Sequence, residues 1–211
     1  MNDPLRLQID AWGEPAPRKI RKIVEILHAG GVAAYPTDSV YALGCAIESR
    51  EAIERIHRAK GMAKSQRLAL ICPDISTAAT YGRFNQTAFR LAQKIFPGPY
   101  TLVVPATHEV PRTLTDAKRR TVGIRVTSHP IAQAIVQALG RPLLTTSAIP
   151  PGATEPCRDA DEILEHFGFA IDVVIDTDAL DSDAVPSTVL EVDEDTVSVI
   201  RLGAGPVDDL L

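Results

Sequence analysis

The sequence predicts a single α/β domain built on a mixed β-sheet. Its 211 residues are 45% hydrophobic and 23% charged, which is ordinary for a globular protein and supplies enough apolar material for a sizeable core. Short apolar runs alternate with helical patterns through most of the chain, and the last apolar runs follow one another without a helix. This alternation is typical of α/β proteins, and the consecutive strands near the end favour a mixed sheet over a purely parallel one.

The predicted helices are defined by apolar residues at helical spacing and by residues that begin or end a helix. Pro17 suits the first position of a helix, and Gly30 with Gly31 ends it. Asn85 and Asp159 are typical N-caps and begin two later helices. In chain order, helices are expected over residues 17–29, 50–60, 86–96, 130–139 and 160–167.

The predicted strands are short apolar runs bounded by turn residues such as Pro36 and Gly140. In chain order, strands are expected over residues 32–35, 68–72, 101–104, 122–126, 143–146, 171–175, 188–192 and 197–202. We assign residues 17–205 to the domain, residues 1–16 to an N-terminal extension and residues 206–211 to a C-terminal tail.

The charged residues are distributed unevenly along the chain. Residues 1–154 hold 20 Lys and Arg against 11 Asp and Glu, whereas residues 155–211 hold 2 against 16. The excess of cations in the first part indicates a basic surface or an anion pocket. The alternative is a solvated acidic end of the chain that has no binding partner.

Membrane proteins and disulfide-rich or zinc proteins are disfavoured. No run approaches the roughly 18 consecutive apolar residues that a membrane helix needs, and residues 1–10 have no apolar stretch like that of a signal peptide. A cytoplasmic location without a membrane partner is therefore expected. Cys45, Cys72 and Cys157 lie too far apart for a zinc motif, so we expect buried or half-buried free thiols.

Side chains with hydroxyl groups follow several predicted strands. Thr37, Asp38 and Ser39 come directly after the strand that ends at Pro36, and in α/β sheets ligands bind beyond the carboxyl ends of strands. A second group, at residues 145–147, follows another short apolar strand. Each group is a candidate binding segment, although a Thr-Asp-Ser turn alone is more often a helix cap.

Arginine side chains interrupt two of the predicted strands. Arg125 lies in an otherwise apolar run, where a guanidinium group needs a partner. It therefore either reaches the end of its strand or meets a carboxylate, which belongs to this chain or to a ligand. Arg201 interrupts the last strand in a similar way. His129, which precedes Pro130, is expected to cap the following helix rather than to catalyse.

Common local motifs for nucleotides, metals and acyl transfer are absent. The sequence contains no G-x-G-x-x-G after a strand, no Walker A motif, no H-E-x-x-H and no G-x-S-x-G. A basic stretch over residues 55–67 is a candidate for phosphate or RNA contacts, or else a solvated helix face. The turn Pro97-Gly98-Pro99 is expected to be structural.

Six segments, taken in chain order, resemble signatures of the YrdC/YciO family. The segments and the family patterns are residues 36–44 with P-T-(D/E)-T-V-Y-G-L-G, residues 97–101 with P-G-P-x-T, residues 121–130 with T-V-x-x-R-x-P-x-H-P, residues 146–148 with the start of (T/P)-S-A-N, residues 186–189 with (E/P)-S-T-V, and residues 200–203 with (L/I)-R-x-G. Their order and spacing extend the resemblance over about residues 17–205.

The resemblance implies a twisted, open, mixed α/β sheet of the YrdC type, with helices on its faces and a concave, positively lined cavity. For the synthase branch it implies condensation of L-threonine, bicarbonate and ATP into threonylcarbamoyl-AMP, with release of pyrophosphate. That product serves the threonylcarbamoyl modification of adenosine 37 of tRNA. On this basis the chain is expected to be a nucleotidyltransferase that uses ATP, with Mg²⁺ between the phosphates.

Carried over position by position, the resemblance also implies two sets of binding residues. Those expected to bind threonine are Thr37, Arg125 and Ser187, with Arg125 on the carboxylate. Those expected to bind ATP are Lys60, Thr121, Ser147 and Arg201. Adenylation depends on fixed reactants and on positive charge near the phosphates, and Lys60 and Arg201 can supply that charge.

The chain departs from the synthase branch at several positions. Met62 stands where the synthases have the arginine of a Lys-x-Arg pair, and Ile149 replaces the asparagine of S-A-N. Ala42 replaces a glycine, and Lys64 or Arg67 is a candidate to compensate for the missing arginine. These differences indicate the YciO-like branch, in which synthase activity is reduced, altered or absent. The alternative function is a non-catalytic protein that binds double-stranded RNA or the ribosome.

Overall fold

The computed structural model describes residues 3–62, 68–115, 119–178, 181 and 183–210 of the chain. Within them the strands are β1 Leu5–Gln8, β2 Val32–Tyr35, β3 Ala42–Ala46, β4 Ala69–Ile71, β5 Tyr100–Pro105, β6 Thr121–Arg125, β7 Leu143–Ser147, β8 Val173–Asp176, β9 Thr188–Asp193 and β10 Thr196–Arg201. The helices are α1 Pro17–His28, α2 Arg50–Ala59, α3 Ile75–Tyr81, α4 Gln86–Ile95, α5 Pro130–Leu139 and α6 Ala160–Phe167, with a 3₁₀ turn at Arg112–Leu114.

The ten described strands form one sheet in the order β1-β8-β2-β3-β7-β4-β6-β5-β9-β10. The pairs β1–β8, β8–β2, β4–β6 and β5–β9 are parallel. The pairs β2–β3, β3–β7, β7–β4, β6–β5 and β9–β10 are antiparallel. The expected α/β fold with a mixed sheet is therefore confirmed.

Helices cover both faces of the sheet. Successive side chains of a strand point to opposite faces, so a strand made of apolar residues contributes to a core on each side. From β2, Ala33 and Tyr35 pack with the apolar faces of α1 and α5 in one core. Val32 and Ala34 point the other way and pack in a second core, which includes buried residues of α2, α4 and α6. The sheet therefore separates two apolar cores.

Three elements differ from the sequence prediction. β1 lies within residues 1–16, which we assigned to an extension, yet it pairs with β8 and places Leu5 opposite Val173. β3 consists of small residues with one leucine and is buried along its length, so neither β-branched residues nor alternation marks it as a strand. α3 has only seven residues and begins at Asp74, whose side chain accepts the N–H of Thr77. The bounds of the predicted elements differ from the observed ones by at most two residues.

The C-terminal segment after β10 folds back onto β9. The buried hydroxyl of Thr188 donates to the carbonyl of Gly205 at 2.6 Å and accepts the N–H groups of Gly203 and Gly205 at 3.0 and 3.1 Å. A Cβ atom on Gly203 would lie 2.0 Å from the carbonyl oxygen of Pro186, so a glycine is required there. These contacts hold the end of β10 against the start of β9.

The three cysteines are buried free thiols, as the sequence predicts. Burial raises the pKa of the Cys45, Cys72 and Cys157 thiols to about 12. Among the described residues, every helix is too short or too polar to cross a membrane.

Candidate functional site

A cavity of about 250 Å³ lies on one face of the sheet, over β7, β4, β6 and β5. Thr145, Ala69, Gly123 and Val103 stand opposite one another on these strands, so their side chains share that face. A Cβ atom on Gly123 would lie 3.1 Å from the methyl carbon of Thr101. The small residues at the centre of this row leave room for the cavity.

The polar side chains that line this cavity carry groups that donate hydrogen bonds. Seven of its lining residues have hydroxyl groups, namely Ser39, Thr101, Thr121, Thr145, Thr146, Ser147 and Ser187. Its two guanidinium groups belong to Arg125 and Arg201, and no carboxylate is found among the described lining residues. Such a lining favours an anionic ligand.

Arg125 is the last residue of β6 and forms an ion pair with Asp38. Its Nη2 donates to Oδ1 of Asp38 at 2.8 Å and to Oγ of Ser39 at 3.2 Å. Only 8% of the Arg125 side chain and 4% of the Asp38 side chain are exposed. Nε of Arg125 is buried without a hydrogen-bond partner among the described residues. The sequence offered two alternatives for Arg125, the end of a strand or a carboxylate partner, and both are observed.

Asp38 is held from two sides. While Oδ1 accepts from Arg125, Oδ2 accepts the main-chain N–H of Ser128 at 2.7 Å and lies 3.2 Å from the Ser128 hydroxyl donor. The carboxylate therefore joins the turn after β2 to the loop between β6 and α5.

Thr37 stabilises the turn after β2 and is not among the residues that line the cavity. Its hydroxyl donates to the carbonyl of Val40 at 2.7 Å and accepts the N–H groups of Ser39 and Val40 at 3.2 and 3.3 Å. This turn places Ser39 and Val40 at the cavity wall. Because the Thr37 hydroxyl bonds within its own turn, it affects the cavity indirectly, by fixing the turn that forms part of the wall.

Arg201 ends β10 and reaches the cavity beside Ser187. Its Nε and Nη2 donate to the main-chain carbonyl of Ser187 at 3.1 and 2.7 Å, and the Ser187 hydroxyl lies 2.9 Å from that of Thr101. Burial, together with the charge of Arg125, lowers the pKa of the Arg201 guanidinium, which stays protonated. An anion between two cations that repel each other would stabilise both.

Lys60 follows α2 and lies behind the cavity wall. Its Nζ donates to the main-chain carbonyls of Ser147 and Ile149 at 2.8 and 2.6 Å. Burial lowers the pKa of this ammonium group to about 8. Lys60 is not one of the lining residues, but it fixes the main chain at the end of β7 beside one of them.

The structure brings together five of the seven predicted binding residues around this cavity. They are Thr121, Ser147 and Arg201 from the ATP set, and Arg125 and Ser187 from the threonine set. Thr37 and Lys60 contact the wall from behind it. The sequence analysis named Asp38 as part of a candidate binding segment but gave it no individual role, and it gave none to Thr101. Lys64 and Arg67, the candidates to compensate for Met62, lie outside the described residues.

His129 caps α5, as predicted. Its Nδ1 accepts the N–H of Ile131 at 3.3 Å, and its ring centroid lies 5.0 Å from that of the exposed Trp12. Burial lowers the pKa of His129 to about 4, so the ring is neutral near neutral pH. These contacts give His129 a structural role.

Comparison with protein families identifies the family of this chain. A model of the Sua5/YciO/YrdC family, described as telomere recombination, matches residues 25–203. The chain belongs to the Sua5/YciO/YrdC family. The match covers every segment that carried the resemblance, and that resemblance is thereby confirmed.

One relative within the family, YciO of Escherichia coli, matches this chain both in sequence and in crystal structure. The uncharacterized protein YciO of Escherichia coli K12 is 43% identical over 197 residues, which are 93% of this chain and 95% of YciO. The crystal structure of E. coli YciO superposes with a TM-score of 0.93 at 41% identity, covering 99% of this chain and 100% of that one.

Other relatives within the family are synthases or Sua5 proteins. A threonylcarbamoyl-AMP synthase of Halorhodospira halophila is 36% identical over 160 residues, which are 75% of this chain and 83% of the synthase. The crystal structure of P. abyssi Sua5 complexed with L-threonine has a TM-score of 0.88 at 28% identity. The match covers 98% of this chain and 59% of Sua5.

Proposed function

We propose that this protein is a threonylcarbamoyl-AMP synthase-type enzyme whose cavity binds ATP and L-threonine, with activity reduced or altered relative to the synthases. The observation that carries the proposal is the convergence of Arg125, Arg201 and Ser187 with the hydroxyls of Thr121 and Ser147 on one cavity. Membership of the family and the L-threonine bound to the related Sua5 support the same ligand class.

The residues would act by binding and orientation. In the proposed reaction the threonine amine adds to bicarbonate with loss of water, and the resulting carbamate oxygen attacks the α-phosphate of ATP, so that pyrophosphate leaves. Arg125 would hold the threonine carboxylate, and Arg201 would balance charge that develops on the phosphates. The hydroxyls of Ser187 and Thr101 form one hydrogen bond with each other, and the one that accepts in this pair would donate to an oxygen placed between the two cations.

The described part of the chain contains no cluster of side chains that would hold Mg²⁺ by itself. Among the described residues no three His, Cys, Asp or Glu side chains cluster as metal ligands. Asp38, the carboxylate beside the cavity, already accepts from Arg125 and Ser128. We therefore propose that Mg²⁺ enters only as part of the ATP complex, and we assign no step to it.

The environment of Lys60 supports altered activity. Its ammonium group donates to the carbonyls of Ser147 and Ile149, so two of its three N–H groups are already used. Met62 and Ile149 have no group that replaces the arginine and asparagine of the synthase patterns. The positive charge near the phosphates of the nucleotide would therefore come chiefly from Arg201.

Calorimetry with ATP and L-threonine, together with pyrophosphate release, tests this function. We expect micromolar to millimolar binding of both ligands and pyrophosphate release that requires both threonine and bicarbonate. Arg201→Gln should weaken ATP binding at least about tenfold, because it removes a positive charge from the cavity. Arg141→Gln is the matched control, since Arg141 pairs with Glu48 in the exposed surface and should leave binding unchanged. Absence of binding to both ligands would contradict the proposal.

The RNA-binding alternative makes a different prediction. Four exposed cations lie on α1, namely Arg18, Lys19, Arg21 and Lys22. Binding of double-stranded RNA through such groups would weaken steeply as salt rises. Affinity that does not depend on salt would remove this alternative, whatever the calorimetry with ATP shows.

A further inference from the structure

The two arginines of the cavity have different partners. Arg125 pairs with the buried carboxylate of Asp38, whereas Arg201 donates to the neutral main-chain carbonyl of Ser187. Within the described residues no carboxylate pairs with Arg201. The charge of Arg125 is therefore balanced inside the protein, and the uncompensated charge of the cavity lies at Arg201.

Asp38 accepts a hydrogen bond from Nη2 of Arg125, which is the nitrogen most important for binding an oxyanion. A guanidinium group grips an oxyanion through two parallel N–H groups, which are either Nε with Nη2 or Nη1 with Nη2. Nη2 belongs to both arrangements. In Arg125 it already donates to Asp38 at 2.8 Å and to Ser39 at 3.2 Å. While these contacts persist, Nη1 is the terminal nitrogen left to contact a ligand.

Asp38 is also held in place without Arg125. Its second oxygen accepts from the main chain and the hydroxyl of Ser128, at 2.7 and 3.2 Å. An incoming anion therefore has to compete with a carboxylate that is fixed beside Arg125 and is only 4% exposed. Displacing it would separate a buried ion pair, which is costly.

We propose that Asp38 determines the ligand specificity of this cavity by acting as a resident counter-ion of Arg125. It limits Arg125 to a contact with one oxygen of the ligand and disfavours doubly charged oxyanions at this end. The negative charge of Asp38 repels a dianion about twice as strongly as a singly charged carboxylate, so its presence acts mainly against the dianion. The inference rests on the proposed function in one respect, namely that the cavity binds an anion.

Sulfate and acetate are suitable probes, because they present two charges and one charge on small oxyanions. We expect Asp38→Asn, which keeps the side-chain shape, to bind sulfate about tenfold more tightly than the wild type and acetate less than about threefold more tightly. Calorimetry measures both affinities. Asp172→Asn is the matched control, because it removes the same charge from the ion pair with Arg55, and neither residue lines the cavity.

The outcomes separate this inference from the proposed function. Sulfate binding by the wild type that Asp38→Asn does not strengthen would overturn the role of Asp38 alone. Absence of sulfate binding in both proteins would overturn the anion cavity as well. Should Asp38→Asn fail to fold, Ser39→Ala provides the second test, since it frees one hydrogen of Nη2. We expect a two- to threefold gain in sulfate affinity there, and no gain would overturn the inference.

Discussion

Burial changes the acidity of Lys60, a basic residue that the family resemblance assigns to ATP binding. In the structure the ammonium group of Lys60 joins the end of α2 to the carbonyls of Ser147 and Ile149. Burial disfavours the charged form and lowers the pKa to about 8. Its proton is therefore held less tightly in the folded chain than in the unfolded chain, where the ordinary value is 10.5.

This difference predicts how stability changes with pH. Between about pH 8 and pH 10.5 the unfolded chain keeps a proton that folded Lys60 has released, so the contribution of Lys60 to stability rises with pH. We expect the free energy of unfolding of the wild type, measured against that of Lys60→Met, to increase from pH 7.5 to pH 10 in urea titrations. Tyr35 and Cys45, whose raised pKa values act in the opposite direction, are present in both proteins and cancel in the comparison. A constant difference between the two proteins would contradict the assignment.

Single residues also show where sequence reasoning about the site ends. The apolar run around Arg125 predicts that its guanidinium needs a partner, and the structure supplies Asp38, 87 positions away. Nothing in the sequence pairs these two residues, because their contact depends on the order of strands in the sheet. The hydroxyl of Thr37, which the resemblance assigns to threonine binding, forms hydrogen bonds within its own turn, and Thr37 is not one of the residues that line the cavity.

Among the elements, β9 and the segment after β10 form one unit around Thr188. The hydroxyl of Thr188 makes three hydrogen bonds to main-chain groups of Gly203 and Gly205 and is fully buried. Ser187 directly precedes β9 and Arg201 is the last residue of β10, so both adjoin this unit, and both reach the cavity. The position of these two side chains therefore depends on a residue that does not touch the cavity.

We expect Thr188→Val to lower the free energy of unfolding by roughly 2–3 kcal/mol, because buried N–H and carbonyl groups lose their partner. Thr188→Ser keeps the hydroxyl and should cost only about 1 kcal/mol for the lost methyl group. Urea titration measures both changes. ATP affinity should fall in the valine variant and persist in the serine variant, and equal affinity in the two would contradict the link between Thr188 and the cavity.

The elements that the sequence predicts share strong local signals. α5 has Pro130 at its first turn and Gly140 in the left-handed conformation at its end, and its predicted bounds agree with the structure. β3 has no such signal, since its alanines and glycine pack only because antiparallel β2 and β7 enclose it on either side. Tertiary packing rather than local propensity makes that segment a strand.

For the whole molecule, the class of fold was predictable and the order of strands was not. Alternating helices and strands predict the class, whereas the central position of β7, β4 and β6 depends on long-range pairing. That order is what places residues from distant segments over one row of small side chains. The family resemblance supplied this convergence as an expectation that the local patterns did not contain.

The buried thiols have a practical consequence for following the opening of this molecule. Cys45 lies in β3, Cys72 follows β4, and Cys157 precedes α6, so they sample separate parts of the core. A thiol reacts as its thiolate, and a pKa of about 12 with full burial suppresses that form in the native state. Alkylating reagents should therefore modify each cysteine only when its surroundings open, and peptide mass spectrometry would then rank the local opening rates without any introduced label.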